Sequence, residues 1–169
     1  MLLRKLAHKD AHGMLDWMKD ESVNCFFRFD PDTISLESCE KYIASNQNDN
    51  GSYHFAIVDD DDNYLGTVSL KDISSVDKHA EYAIALRKCA QGIGAGKFAT
   101  QEILRFAFNE LHLERVFLNV LSDNIHAIEF YEKAVFTYEG EFVNHVNIKG
   151  VMKNLKWYGM IAKNYKKEV

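Results

Sequence analysis

Between an apolar segment, Glu81-Tyr82-Ala83-Ile84-Ala85-Leu86, and a segment of helical periodicity lies Gln91-Gly92-Ile93-Gly94-Ala95-Gly96-Lys97. Three glycines at alternate positions let the backbone turn tightly and leave its N–H groups uncovered. A helix starting there adds unpaired N–H donors and the positive end of its dipole. Strand, glycine turn and helix start together make a phosphate cradle. Two familiar cradles fail on spacing. A Walker loop needs Gly at 91 and Ser or Thr at 98, where this chain has Gln91 and Phe98. A dinucleotide fingerprint built on Gly92 and Gly94 needs its third Gly at 97, which is Lys97.

The rest of the chain supplies a sheet and helices around that turn. Residues 2–6 read as a short strand, and Asp10 as the N-cap of a helix whose Ala11, Met14, Leu15 and Met18 share one face. A patch with Phe26, Phe27, Phe29 and the single proline, Pro31, precedes a helix from Thr33 or Ser35 carrying Leu36, Cys39 and Ile43. Residues 46–52 read as a loop. Strands over 53–58 and 64–70 are joined by the turn Asp59-Asp60-Asp61-Asp62-Asn63. A connector at 71–78 leads into the strand at 79–86. The helix after the glycines places Thr100, Ile103, Leu104, Ala107, Phe108 and Leu111 on one face. A strand at 116–121 follows, then a short helix capped from Ser122, Asp123 and Asn124, then strands at 136–146 and 151–161. This is one α/β (α+β) domain over residues 1–169, with no linker or internal repeat.

Composition removes several classes. A net charge of −5 lacks the basic footprint of general nucleic-acid binding and tolerates a cationic substrate. The three cysteines, Cys25, Cys39 and Cys89, fit reduced thiols in the cytoplasm and show no zinc spacing. The aspartate turn lacks the spacing and closing Glu of a calcium loop, so no metal is expected. No stretch approaches the ~20 apolar residues of a membrane span, and the N-terminal run is too short for a signal peptide.

Gln91, Gly94 and Gly96 satisfy Gln-x-x-Gly-x-Gly, and Asn124, Ala127 and Tyr131-Glu132-Lys133 satisfy Asn-x-x-Ala-x-x-x-Tyr-Glu-Lys, in that order along the chain. The sequence thereby resembles the GNAT superfamily of acyl-CoA-dependent N-acetyltransferases, nearest in appearance to its spermidine, ribosomal-protein and amino-sugar branch. Lys88 stands where that family commonly has Pro, and Val135 where it has Gly. A β-branched residue at a left-handed helix end is penalised.

The resemblance implies a mixed, mostly antiparallel central sheet with one splayed strand pair and flanking helices. It implies acetyl-CoA as co-substrate and a small-molecule amine or a peptide N-terminus as acceptor. N–H groups of Gln91, Gly92, Ile93, Gly94, Ala95, Gly96 and Lys97 would hold the pyrophosphate. The backbone of Ile84, Ala85 and Leu86 would pair with the pantetheine amides as an added strand does. Asn124 would grip the same arm, or simply cap its helix. Glu81 is the candidate base, the alternative being an edge-strand surface charge. Tyr131 is the candidate acid, since a phenol near pKa ~10 stays protonated beside a thiolate of intrinsic pKa ~8.5. Its alternative is a core aromatic. Phe26, Phe27 and Phe29 would line the acceptor cleft, with Asp30, Asp32 or Glu37 attracting a cation. Cys89 has no His or acidic neighbour in sequence, so direct transfer is expected rather than an acyl-enzyme. A homodimer through the late strands, and a catalytically silent acyl-CoA-binding module, are the further readings that the resemblance leaves open.

Overall fold

A computed structural model describes residues 1–47 and 51–165. The elements are β1 (Leu2–Lys5), α1 (Ala11–Lys19), α2 (Glu21–Asn24), α3 (Leu36–Ser45), β2 (Tyr53–Val58), β3 (Tyr64–Ser74), β4 (His79–Leu86), α4 (Ala95–Arg105), β5 (Arg115–Leu121), α5 (Ile125–Lys133), β6 (Thr137–Ile148), β7 (Val151–Ile161) and α6 (Ala162–Tyr165). Among the described residues, seven strands form one sheet in the order β1-β2-β3-β4-β5-β7-β6, and only the β4–β5 pair is parallel. The loop expected over 46–52 includes residues 48–50, which lie outside the described residues.

Alternation along the strands divides the core. Val68 and Leu70 of β3, Tyr82 of β4, and Val116, Leu118 and Val120 of β5 face α4 and α5. Ala56 and Val58 of β2 and Tyr64 of β3 join the opposite cluster, with Met14 and Trp17 of α1 and Cys39 and Ile43 of α3. Both clusters are buried, so the register of the middle strands is fixed on both faces.

Three local expectations change, and one helix is new. Asp10 does not cap α1 through its side chain, and its own backbone is helical. Its carboxylate turns back to accept from both terminal nitrogens of Arg4, at 2.7 and 2.8 Å, and from the N–H of Ala7 at 2.8 Å. A buried carboxylate finds three donors there, where a helix N-terminus would offer one or two. The connector expected at 71–78 is half strand: β3 continues to Ser74 past a bulge around Asp72, whose φ is 49°. The long helix stays α-helical only to Arg105 and then widens into a π turn over Phe106–Glu110. That last turn still buries Ala107 and Phe108, so the apolar stripe runs on through a change of winding. The short helix α2, capped by Asp20 through the N–H of Ser22 at 2.9 Å, had no periodic signal.

Val135 does sit in the left-handed region, at φ 67°. Its N–H reaches Glu132 O at 3.1 Å, and that of Phe136 reaches Tyr131 O at 3.0 Å. These are the paired bonds of a Schellman ending, with the rings of Tyr131 and Phe136 meeting across it at 6.1 Å. The helix therefore ends as the glycine-bearing version would, at a steric cost of about 1–2 kcal/mol. Val135→Gly is expected to raise unfolding stability by about 1 kcal/mol, since the half-exposed valine contributes little burial. Urea unfolding checks this, and a loss of stability would show that the valine side chain contributes more than its strain costs.

Candidate active site

The parallel pair is short. Register runs His79–Arg115, Ala80–Val116 and Glu81–Phe117, and there the pairing stops. Beyond Glu81, β4 continues on its β3 partner to Leu86 and β5 continues on β7 to Leu121. Two strands that each hold a different neighbour must diverge, and a cleft of about 730 Å³ opens between them. Residues 83–86 are only half-buried in a central strand because this split uncovers them. The expected splay is present, and backbone of Ile84, Ala85 and Leu86 along its wall is open to pair with an extended amide chain.

One end of the cleft is the glycine turn. Gly92 and Gly94 have φ of 79° and 88°, and Gly94 is the N-cap of α4. The N–H groups of Ala95, Gly96 and Lys97 form the uncapped first turn of the helix and have no acceptor among the described residues. Gln91, Gly92, Gly94, Gly96 and Lys97 line the cleft, whereas the Ile93 side chain points to solvent and Ala95 is buried beneath. Gly96 lies under the wall, where an added Cβ would meet Leu86 and Phe130 at 3.4 Å. Such a turn binds an anion of two adjacent phosphates by backbone donors and helix dipole. Lys88, Lys97 and Lys133 add cationic character along the same wall.

A buried hydroxyl relay fixes the turn to the sheet. Thr100 Oγ1 donates to Gly96 O at 2.8 Å and lies 2.8 Å from the Tyr82 hydroxyl. Both side chains are fully buried. Thr100 reads in sequence as one more member of an apolar stripe; a hydroxyl within that stripe was the only sign of this role.

Tyr131 and Glu81 both line the cleft, from opposite layers. Tyr131 projects from α5 against Tyr82 and Phe136, edge-on to each ring. Burial pushes its phenol up to about 12, and its hydroxyl takes no hydrogen bond from the described protein. It is therefore both a core aromatic and a proton-bearing group facing the cleft. Glu81 stands at the last paired position before the split, so the edge-strand alternative fails: β4 has neighbours on both sides there. One carboxylate oxygen accepts from Lys71 Nζ and from Asn119 Nδ2, each at 3.2 Å. Neither partner was singled out in the sequence. Lys71 fell in the stretch read as a connector, and Asn119 is the lone polar side chain of an apolar strand. Asn124 caps α5 by accepting from Ala127 N at 3.2 Å, and it also lines the cleft.

The N-terminal aromatics divide. Phe26 and Phe27 line the cleft, and Phe27 and Phe29 line a second cavity behind it. Asp30 and Asp32 line neither. Asp30 accepts from Asp32 N at 3.0 Å and caps the turn at Pro31, and both are exposed. Cys89 is exposed on the Lys88–Ala90 turn and does not line the cleft. Among the described residues there is no metal-holding cluster, and no helix long and apolar enough to cross a membrane.

A strand pair parted for an extended acyl carrier, an anion-binding helix start at one end and a buried phenol beside the opening define a coenzyme A-dependent acyltransferase. The chain belongs to the GNAT family: residues 1–137 match the family model described as an acetyltransferase (GNAT) domain. It is 24% identical to a spermidine N(1)-acetyltransferase of Vibrio cholerae, over 98% of this chain and 95% of that one. It is 28% identical to the spermidine N(1)-acetyltransferase of Escherichia coli, over 90% and 81%. A probable N-acetyltransferase of Bacillus subtilis, YjcK, is 32% identical over 90% and 88%. In fold it matches the Vibrio cholerae spermidine N-acetyltransferase solved in complex with CoA and spermine, with a TM-score of 0.89, 24% identity, and 98% and 97% coverage. The chain is an acetyl-CoA-dependent N-acetyltransferase, with the fold that its sequence resemblance implied.

Proposed function

We propose that the acceptor is the neutral primary amine of a small molecule, which attacks the thioester directly with Tyr131 and Glu81 serving the proton transfers. The supporting observation is that both side chains line one cleft whose floor is the split between β4 and β5. The pyrophosphate of acetyl-CoA would lie on the N–H groups of Gln91 to Lys97. Its pantetheine arm would run along Ile84, Ala85 and Leu86, with Asn124 at its side.

An alkylammonium near pKa ~10 must shed a proton before it can attack. Glu81, directly or through water, takes that proton, while Lys71 and Asn119 hold its carboxylate in place. The amine nitrogen then bonds to the thioester carbon, and a backbone N–H near Leu86 steadies the oxyanion. As the C–S bond breaks, the Tyr131 hydroxyl donates to the departing sulfur. A phenol at about 12 is a weaker acid than the thiol it serves. It therefore first hydrogen-bonds the sulfur as negative charge builds there, and the proton it then passes to the thiolate is replaced by the one lost from the newly bonded nitrogen. The products are the N-acetyl amine and the free thiol of CoA.

The relatives named as spermidine acetyltransferases bring forward a polyamine as the reference acceptor. Cys89 is exposed and is not among the residues that line the cleft, which supports transfer without an acyl-enzyme. Initial rates with both substrates varied are expected to give intersecting lines, and Cys89→Ala is expected to keep the wild-type kcat. Parallel lines, or loss of activity in that variant, would replace direct transfer with a covalent intermediate.

A further inference from the structure

Behind the acceptor end of the cleft lies the second cavity, of about 400 Å³, roofed by α1 and α3 and floored by β3 and β4. The two spaces share Phe27, Ala83, Ile84 and Ala85 as walls, so they meet where the thioester would lie. A substrate held for attack at the split has this cavity directly beside it.

The chemistry of the cavity is one-sided. Trp17, Phe27 and Phe29 pack there in a tilted cluster with ring centroids 5.2 to 6.0 Å apart, and Met14, Met18 and Ile34 extend the apolar wall. Among the described residues no carboxylate lines it, and the one charged group that does, Lys71, is already paired with Glu81 at 3.2 Å. Its other polar groups are also satisfied within the protein. The Thr67 hydroxyl bonds to Tyr64, that of Ser38 donates to Ser35 O, and Tyr42 and Ser69 share His54 Nδ1 at 3.0 and 2.8 Å. This lining presents no negative charge to a second ammonium, and an unpaired charge moved there would be strongly penalised. On the cleft side Phe26 and Phe27 are followed by Arg28, a cation with no ion pair among the described residues. Of the two carboxylates that line the cleft, Glu81 is held by Lys71 and Asn119 and Glu129 pairs with Lys133 at 3.7 Å, so a polycation meets little free negative charge there, while an aromatic ring meets edge-to-face partners on several sides.

Resting on the acetyl-transfer reading above, we propose that this cavity receives the acceptor's tail and selects an arylalkylamine: one ammonium at Glu81 and an uncharged ring among Trp17, Phe27 and Phe29. The acceptor preference of this chain then differs from that in the names of its spermidine-acetylating relatives. Ring burial in an apolar pocket discriminates by at least tenfold when even single methylenes there are worth about 10–200-fold.

Thiol release from acetyl-CoA with phenethylamine, n-butylamine and spermidine tests this. We expect kcat/KM for phenethylamine to exceed that for each of the other two by tenfold or more. Ile34→Trp and Met18→Trp, which fill the cavity from two different helices or turns, are expected to abolish that advantage. Acetyl-CoA affinity and butylamine turnover should stay at wild-type values in at least one of them, which shows that it folds. Spermidine turned over as well as or better than phenethylamine overturns the inference and leaves acetyl transfer standing. An advantage that survives in a folded filled variant also overturns it. No release with any amine would remove the transfer reading itself.

Discussion

Tyr131→Phe is expected to lower kcat by about 100-fold or more, the usual contribution of a positioned proton donor. The affinity for acetyl-CoA should change by no more than about twofold. The two effects separate because the hydroxyl bonds to no described residue, so its removal breaks nothing in the fold. The ring contacts with Tyr82 and Phe136 survive in phenylalanine. The pH profile carries a second signature. Burial raises the phenol to about 12, so Tyr131 remains protonated, and able to donate, at any pH below that value. Activity of the wild type should rise with pH as the acceptor ammonium deprotonates. It should show no descending limb from Tyr131 below about pH 11. An unchanged kcat in Tyr131→Phe would remove the residue from the mechanism and leave it as a core aromatic.

Asp10→Ala is expected to cost about 3 kcal/mol of unfolding stability, the low end of what breaking a buried ion pair costs. Asp10 is 1% exposed and joins β1 to the turn before α1 through Arg4 and the N–H of Ala7. Deleting it strands a half-covered guanidinium and a backbone donor together. Arg4 keeps its Nε bond to Asp62 at 2.6 Å, which places the loss at the low end. The Asp10 carboxylate hydrogen bond is also the main reason that the Arg4 guanidinium is held above its usual pKa. For a chain of this size the loss corresponds to a fall in Tm of roughly 6–12 °C. Thermal unfolding followed by circular dichroism checks it. A change under about 1 kcal/mol would mean that the pair behaves as a surface bridge. Because α1 also roofs the second cavity, any residual activity of this variant should fall more with aryl acceptors than with butylamine.

The donor half of the site was legible in the sequence because it is local. Glycines at 92, 94 and 96, and the segment from Asn124 to Tyr131, each lie within one turn or helix, so spacing alone carries their geometry. The split of β4 from β5 followed only from resemblance; its physical cause, the exhaustion of pairing after Glu81 and Phe117, needs the strand order β4-β5-β7. The acceptor half is long-range. Lys71, Glu81 and Asn119 meet from three strands, and Lys71 was hidden because a bulge near Asp72 made a strand look like a connector. Asp10 misled in a different way. A helix-capping residue type at a helix-capping position was claimed instead by an arginine six residues earlier. The aspartates offered as cation-attracting groups, Asp30 and Asp32, follow the same lesson: one caps the local turn and both stay outside the cavities. Phe27, by contrast, stands in the sequence as one of three aromatics close together, and it forms the wall between the two cavities.

The most direct test of the account is thiol release from acetyl-CoA by the intact chain, measured with and without a primary amine. Release is expected to depend on the amine, to saturate with it and to match the N-acetyl product mole for mole. Acetyl-CoA binding without amine-dependent release, across aryl, alkyl and polyamine acceptors, would contradict it and leave the cleft as a binding site alone.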